Sequence, residues 1–201
     1  MEENGFFLFM SRIGDIVFLN LCFLLTCIPV VTAGTALISL YTVTLKMAQN
    51  QEGYVIKSYF KAFKDNLKQG IIVGVVLELI LAVLGYDAWM LLSSRESYSA
   101  AGFFVTAAAL LIVFAVMQYL FPLMARYENS IGMSLRNAGL LAISRLPYTI
   151  VLLVLAAVPA VFILLTPYAY IYVIFAGGAL GALLQSKLLV NIFSKIENGG
   201  K

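Results

Sequence analysis

Glu78 is the residue whose type and position most clearly suggest chemistry, because it lies inside the apolar segment GIIVGVVLELILAVLG. A carboxyl group within a membrane-spanning helix is costly, and such groups usually face the interior of a helix bundle or a water-filled cavity. Glu78 follows Gly70 by about 12 Å of helix, which is close to the middle of a bilayer. We interpret Glu78 either as an uncharged carboxyl bonded to a neighbouring helix or as a site for a substrate or a proton. A solute path beside Glu78 would also need neutral polar residues, for which the sequence offers Asn20, Gln118 and Asn191.

Other chemistry is restricted by what the sequence lacks. The chain contains no histidine, and it therefore lacks the usual general base and the commonest metal ligand. Cys22 and Cys27 do not have the spacing of a CxxC redox motif or of a metal site, so we interpret them as small buried apolar residues. We therefore predict no catalytic residues, no cofactor and no metal site.

The elements that must position Glu78 are membrane helices. The chain has 201 residues, of which 62% are hydrophobic and 11% are charged, and its mean hydropathy is +0.98. This is too little polar surface for a water-soluble domain of this length. Four segments are apolar enough for a span and lack the alternation of a strand: 70–92, 101–125, 147–165 and 168–190. The sequence predicts an all-α, polytopic membrane helix bundle, with residues 1–201 forming a single integral membrane domain.

The apolar region 13–45 decides the number of spans. As one straight helix it would extend roughly 50 Å, which is more than one crossing requires. Pro29 removes a backbone donor and Gly34 permits a bend, so we predict two helices, about 13–28 and 33–48. The bundle then has six spans. Five spans are the alternative, if the region is one strongly tilted helix.

Positive charge predicts the orientation, because short loops rich in Lys and Arg remain in the cytoplasm. In the six-span arrangement, Arg95 is the only one of the 13 Lys and Arg residues on the outer side. Both chain ends then lie in the cytoplasm. The five-span arrangement moves the N-terminus outside and keeps the C-terminus in the cytoplasm. The N-terminal segment lacks a basic start and a small-residue cleavage site, so we predict no cleaved signal peptide.

The connection 46–69 carries a basic stripe. If 54–68 is a helix, its apolar residues fall on one face and its lysines form a stripe beside that face. The apolar face contains Ile56, Tyr59, Phe60, Phe63 and Leu67, and the stripe contains Lys57, Lys61, Lys64 and Lys68. We predict an interfacial amphipathic helix that binds the cytoplasmic surface of the lipid bilayer, with its lysines directed to anionic lipid, and no nucleic-acid site. The alternative is that the face docks against a partner protein or against the bundle itself.

A second amphipathic helix is predicted around residues 130–145, in the connection that precedes the fifth span. Shifted by 79 residues, it is similar to the first, since Lys57 corresponds to Arg136 and Leu67 to Leu146. We interpret this as a weak internal repeat of residues 33–92 and 112–171. The alternative is that two cytoplasmic loops share a basic amphipathic composition for topological reasons alone.

Residues 11–70 carry a resemblance to a known family. The shared features are the RIGD start, the LNL, the IPVVTAGTAL turn, the LYTVTLK exit, the EGY and the FKAFKDN basic helix. In these features the chain resembles the YesL family, an uncharacterised family of bacterial integral membrane proteins. The resemblance implies a protein of the bacterial plasma (inner) membrane. Members are often encoded beside genes for carbohydrate uptake, so the resemblance also implies a role connected with carbohydrate uptake. It assigns no role to any residue.

The segment ENSIGMSLRNAGLLAISRLP resembles the coupling loop of ABC importer permeases, which seats in the ATPase subunit. Glu128, Gly132, Leu146 and Pro147 match that loop, although the gap between the first two is shorter here. Pro147 also has a structural explanation, because proline is tolerated in the first turn of a helix. The resemblance implies a docking surface for a partner at Glu128, Gly132 and, on the same helix, Arg136.

These observations predict an accessory protein or a component of bacterial carbohydrate uptake, without catalytic activity. The alternative is a permease-like or autonomous small-solute transporter with a polar intramembrane site around Glu78. The predicted partners are the lipid bilayer and either an ABC importer subunit or a second copy of the chain.

Overall fold

The computed structural model describes residues 5–51, 53–93, 100–166 and 168–198. Every regular element within these residues is a helix, which confirms the predicted all-α class. Arg95 and Lys201, which entered the charge argument, lie outside the described residues.

Within the described residues, six helical segments are long and apolar enough to cross a membrane, by length and composition, as the sequence predicted. The helices are α1 (Gly5–Cys27), α2 (Ala33–Ala48), α3 (Val55–Asp65), α4 (Leu67–Ser93), α5 (Ala100–Arg126), α6 (Ile131–Ser144), α7 (Leu146–Leu165), α8 (Ala169–Tyr172) and α9 (Gly178–Asn198). The long segments are α1, α2, α4, α5, α7 and the stretch that ends with α9. A π-helical turn, Val173–Gly177, joins α8 to α9.

The predicted break in the first apolar region lies at Pro29. α1 ends at Cys27, a short 3₁₀ turn follows over Val30–Thr32, and α2 begins at Ala33. The Thr32 amide donates to the Pro29 carbonyl (2.9 Å), and the Thr32 hydroxyl donates to the Thr26 carbonyl (2.6 Å). These bonds satisfy part of the backbone that proline releases from the helix, so α1 and α2 form a tight hairpin.

α2 is the central helix of the bundle, in contact with α1, α3, α4, α5 and α9. Most of its residues are buried, including polar ones. The Tyr41 hydroxyl donates to the Gln185 side chain in α9, and the oxygens of Thr44 and Ser186 lie 2.8 Å apart. Buried polar groups are costly unless bonded, so these pairs fix how α9 faces α2.

Two helices approach closely where the start of α2 meets the start of α4, and Gly70 and Gly74 form a GxxxG pattern there. A Cβ on Gly34 would lie 2.6 Å from the Gly74 Cα, and a Cβ on Gly70 would lie 2.6 Å from the Thr35 Cα. Small residues at such a crossing let two backbones touch. The crossing therefore requires glycine at these positions.

α3 packs along the α1–α2 hairpin and reaches its turn. Val55, Tyr59 and Ala62 are its buried residues, and the Tyr59 hydroxyl lies 2.6 Å from the Thr26 hydroxyl. The face predicted from the sequence included Phe60, which is partly exposed. Ile56 and Leu67 of that face are also exposed, so the bundle buries only one side of it.

α6 has the same relation to α5 and α7 that α3 has to α2 and α4. Each amphipathic helix is separated from the following long helix by a single residue, Asn66 or Arg145, and these positions differ by the predicted shift of 79. Tyr59 and Ala138, which the shift also pairs, are both fully buried.

We expect Gly70→Ala to lower the stability of the folded bundle by about 1–3 kcal/mol, because the new Cβ overpacks the crossing. Gly85→Ala is the matched control in the same helix, since a Cβ there has no atom within 4 Å. Thermal unfolding in detergent should show a lower midpoint for Gly70→Ala and no loss for Gly85→Ala. Equal midpoints would mean that the α2–α4 contact does not constrain the fold.

Candidate functional site

An open cleft of about 770 Å³ lies at the end of the bundle where α2 and α5 end. We call it the polar cleft, because its lining consists mainly of charged, amide and hydroxyl side chains. The lining residues are Thr42, Lys46, Ser58, Lys61, Ala62, Asp65, Asn66, Gln69, Met124, Ala125, Arg126, Tyr127, Glu128, Asn129 and Ser130.

Three elements build the polar cleft. The last turns of α2 contribute Thr42 and Lys46 to one wall, and the segment after α5 contributes the opposite wall. α3 contributes Ser58, Lys61 and Asp65, which recur at helical spacing and therefore share one face. The sequence analysis did not find this face, because its residues are polar and only the neighbouring helices make it concave.

One wall of the polar cleft is fixed by the end of α9. Arg126 forms an ion pair with Glu197 (3.0 Å), and the Tyr127 hydroxyl donates to the same carboxylate (2.7 Å). The Arg126 guanidinium also lies 5.5 Å from the centre of the Phe193 ring, within the range of a cation–π contact. Burial, together with the bond to Glu197, raises the pKa of the Tyr127 hydroxyl above its usual value. Tyr127 therefore remains an uncharged donor at neutral pH.

The other charged residues of the polar cleft are not paired with one another. Lys46, Lys61, Asp65 and Glu128 form no ion pair with any described residue, and all four side chains are exposed. Both signs of charge are therefore available to a molecule that enters the cleft.

A second cleft of about 410 Å³ lies on the other side of Tyr127, between α6 and α9. Its α6 residues are Asn137, Leu140 and Leu141. Under the shift of 79 these correspond to Ser58, Lys61 and Ala62 of the polar cleft. The two clefts thus lie at positions related by this shift, and the second has Leu140 where the first has Lys61.

The residues predicted at the membrane interface divide between two surfaces. Lys57, Lys64 and Lys68 are exposed on the outside of α3 and at the start of α4, whereas Lys61 lines the polar cleft. Phe60 is partly exposed. Phe63 packs against the buried core and stacks on Tyr59, with ring centres 6.4 Å apart. The structure therefore brings only Lys61 of the four lysines to the cleft.

The three predicted docking residues do not form one cluster. Glu128 lines the polar cleft, while Gly132 and Arg136 are exposed on α6 and are not part of its lining. The cleft therefore includes the start of the segment that resembles a coupling loop, Glu128 to Ser130, and not its helical part.

Asn20 is fully buried and is bonded to backbone rather than facing a cavity. Its Nδ2 donates to the carbonyls of Val173 (2.9 Å) and Ile174 (2.7 Å), and its Oδ1 accepts from the Ala179 amide (2.9 Å). These three groups lie in and beside the π-helical turn, where the regular helix pattern is interrupted. Asn20 therefore ties α1 to the last span.

The remaining intramembrane candidates lie apart from the polar cleft. Gln118 is buried in α5, and Glu78 is partly buried in α4. Glu78 is close enough to Cys27 for an electrostatic interaction, and no described residue donates a hydrogen bond to it. Glu78, Asn20 and Gln118 are not joined by any of the clefts described above. Within the described residues, no group of His, Cys, Asp and Glu could hold a metal ion.

Comparison with known proteins gives a match to a family model over part of the chain, and no activity. Residues 16–88, from within α1 to within α4, match the model of a family described as a protein of unknown function, DUF624. The match covers the hairpin, α3 and the glycine crossing. No curated protein and no solved structure matches the chain.

We expect Asn20→Leu to destabilise the fold by about 1–3 kcal/mol, because it leaves buried carbonyl and amide groups without partners. Asn191→Leu is the control, since Asn191 is exposed on α9 and surface changes usually have small effects. The measurement is thermal unfolding of both purified variants in the same detergent. An unchanged unfolding midpoint for Asn20→Leu would show that the bonds from Asn20 to the π-helical turn do not stabilise the fold.

Proposed function

We propose that the chain is a multi-pass protein of the bacterial plasma membrane, with its C-terminus in the cytoplasm, that serves as an accessory component of carbohydrate uptake. The polar cleft is the surface through which it binds an importer subunit. Six apolar helices support the membrane location. The carbohydrate setting rests on the resemblance of residues 11–70 to the YesL family.

The observation that carries this proposal is the unpaired charge in the polar cleft. Lys46 and Lys61 on one side, with Asp65 and Glu128 also in the lining, offer two cations and two carboxylates without internal partners. Complementary charges at a protein interface favour the correct partner and exclude like-charged ones. A partner segment with both signs of charge would satisfy these groups.

The lining also favours a protein segment over a small molecule. The volume of about 770 Å³ lies within the usual range for ligands, but small-molecule pockets are mostly apolar with a few polar groups. Here the polar residues dominate, and Tyr127 is the aromatic residue in the lining. Such a surface is closer to the polar, water-accessible part of a protein interface.

The arrangement of the intramembrane polar residues supports an accessory protein over an autonomous transporter. The Asn20 amide is fully used by backbone groups of the last span, so it is not free to bind a solute. The buried polar groups of α2 bond to α9 in the same way. A solute path would have to break these bonds.

Charge reversal at Lys61 tests the docking surface. We expect Lys61→Glu to lower the recovery of importer permease or ATPase subunits with the tagged protein about tenfold, which corresponds to about 1.4 kcal/mol of binding. Lys57→Glu is the matched control, because Lys57 is exposed on the same helix outside the cleft. Recovery from native membranes is quantified by mass spectrometry.

Two outcomes contradict the docking proposal. Equal recovery with Lys61→Glu and Lys57→Glu would exclude the polar cleft as the binding surface. Recovery of no importer subunit with the unaltered chain, even after cross-linking from Lys61→Cys, would exclude the role in carbohydrate uptake.

Glu78 separates the accessory role from the transporter alternative. We expect Glu78→Gln to leave both partner recovery and stability unchanged, because no described residue depends on its carboxylate for a hydrogen bond. The measurement is partner recovery together with sugar uptake in proteoliposomes of the purified chain. Sugar uptake by the unaltered chain that Glu78→Gln abolishes would favour the transporter.

A further inference from the structure

The turn between α1 and α2 is apolar and exposed. Its side chains include Ile28, Val30 and Val31, which are 74%, 66% and 51% exposed, and the segment from Cys27 to Gly34 contains no charged residue. Turns that reach water are usually rich in polar residues. An exposed turn of this composition requires an apolar environment.

The lysine-bearing helix α3 runs alongside the hairpin towards this turn. Tyr59, in the middle of α3, contacts Thr26 near the end of α1, with 2.6 Å between the hydroxyl oxygens. The Leu67 carbonyl, at the start of α4, accepts from the Thr35 hydroxyl in the first turn of α2 (3.3 Å). The exposed Lys64 and Lys68 lie within one helical turn of Leu67. Because Lys61 shares the polar cleft with Lys46 at the end of α2, the lysines lie alongside the hairpin, between its base and its turn.

α4 starts at the turn and continues beyond it. Gly70 and Gly74 pack on Gly34 at the start of α2, and Glu78 is near Cys27 at the end of α1. After Leu77 the apolar side chains of α4 are largely exposed, including Leu79, Val83, Tyr86, Trp89 and Leu92. The part from Gly70 to Ser93 extends about 35 Å, which is enough to cross a bilayer without the hairpin.

A fully crossing hairpin is incompatible with these positions. If the turn were at the outer surface, the lysines alongside the hairpin would lie within the bilayer, and the apolar part of α4 would project beyond the bilayer into water. A bilayer placed around α4 beyond Gly70 instead encloses the turn in its inner half. The four lysines then lie near the inner headgroups, where long basic side chains reach anionic lipid.

We propose that α1 and α2 form a re-entrant hairpin whose turn, Ile28–Val31, ends inside the bilayer and contacts lipid acyl chains. The turn surface is continuous with the lipid-facing side of α4, because α4 packs against the 3₁₀ turn. Backbone within lipid must find its own partners. The bonds of Thr32 to Pro29 and Thr26, and that of the Ile28 amide to the Leu25 carbonyl (3.4 Å), provide part of these partners.

This placement leaves α4, α5, α7 and the final helix as crossing helices. α1 and α2 are long enough to cross but do not. Both chain ends remain on the same side as in the six-span arrangement, so the charge argument for orientation is unchanged. The inference is independent of the proposed role in carbohydrate uptake.

Single-cysteine variants test the depth of the turn, in a background with Cys22→Ala and Cys27→Ala. Val31→Cys reports the turn, Ser93→Cys the far end of α4, and Gln51→Cys the base of the hairpin. A membrane-impermeant maleimide is applied to intact spheroplasts and, separately, to inverted vesicles. We expect Ser93→Cys to react from outside and Gln51→Cys from inside. Val31→Cys should react from neither side at more than about a tenth of those rates, and fully after detergent.

Either alternative labelling pattern overturns the inference. Reaction of Val31→Cys from outside at the rate of Ser93→Cys would show that the hairpin crosses. Reaction from inside at the rate of Gln51→Cys would place the turn in water. If Val31→Cys does not accumulate, the Cys22→Ala variant keeps the native Cys27 beside the turn as the reporter.

Depth-dependent quenching provides a second measurement. A bimane label on Val31→Cys should be quenched more by lipids with a nitroxide in the middle of the acyl chain than by lipids with a nitroxide on the headgroup. Label on Gln51→Cys should show the opposite order. Stronger quenching of Val31→Cys by the headgroup nitroxide would overturn the inference.

Discussion

The contact of α2 with α4 at Gly34, Gly70 and Gly74 is the constraint on which the rest of the arrangement depends. Two helix backbones touch there without intervening side chains, so the position of one helix along the other is fixed to within a turn. Because α4 starts at this point, α3 must lie across the hairpin to reach it. The polar face of α3 then opposes the ends of α2 and α5, and the polar cleft forms between them.

Polar side chains inside this apolar chain divide into two groups with different uses. Within the bundle they hold helices together: Asn20 bonds the last span, and Tyr41 and Thr44 bond α9. At the end of the bundle, Lys46, Lys61, Asp65 and Glu128 have no ionic partner among the described residues. Buried polar groups without bonds are costly, whereas exposed charges are not. The charged groups without internal partners therefore lie at the exposed end of the bundle.

Features that depend on local sequence were predictable. Pro29 and the apolar runs gave the break between α1 and α2 and the number of long helices, because proline and hydrophobic length act within a few residues. The burial of Tyr59 and the roles of Gly70 and Asn20 were not predictable. Each depends on a partner from a distant segment: Thr26, Gly34 and the π-helical turn. The polar cleft was missed for the same reason, since its walls are polar residues that become concave only when three elements meet.

The π-helical turn sets the rotational phase of the last helix. Such a turn acts as a one-residue insertion in an α-helix, and one residue corresponds to about 100° of rotation. Everything after Gly177 is therefore rotated relative to an uninterrupted helix, and this rotation aims Gln185 and Ser186 at Tyr41 and Thr44. A helix of the same sequence shortened by one residue within Val173–Gly177 would direct both polar side chains away from α2. The length of this short segment, more than its composition, determines which side of the last helix is the inner one.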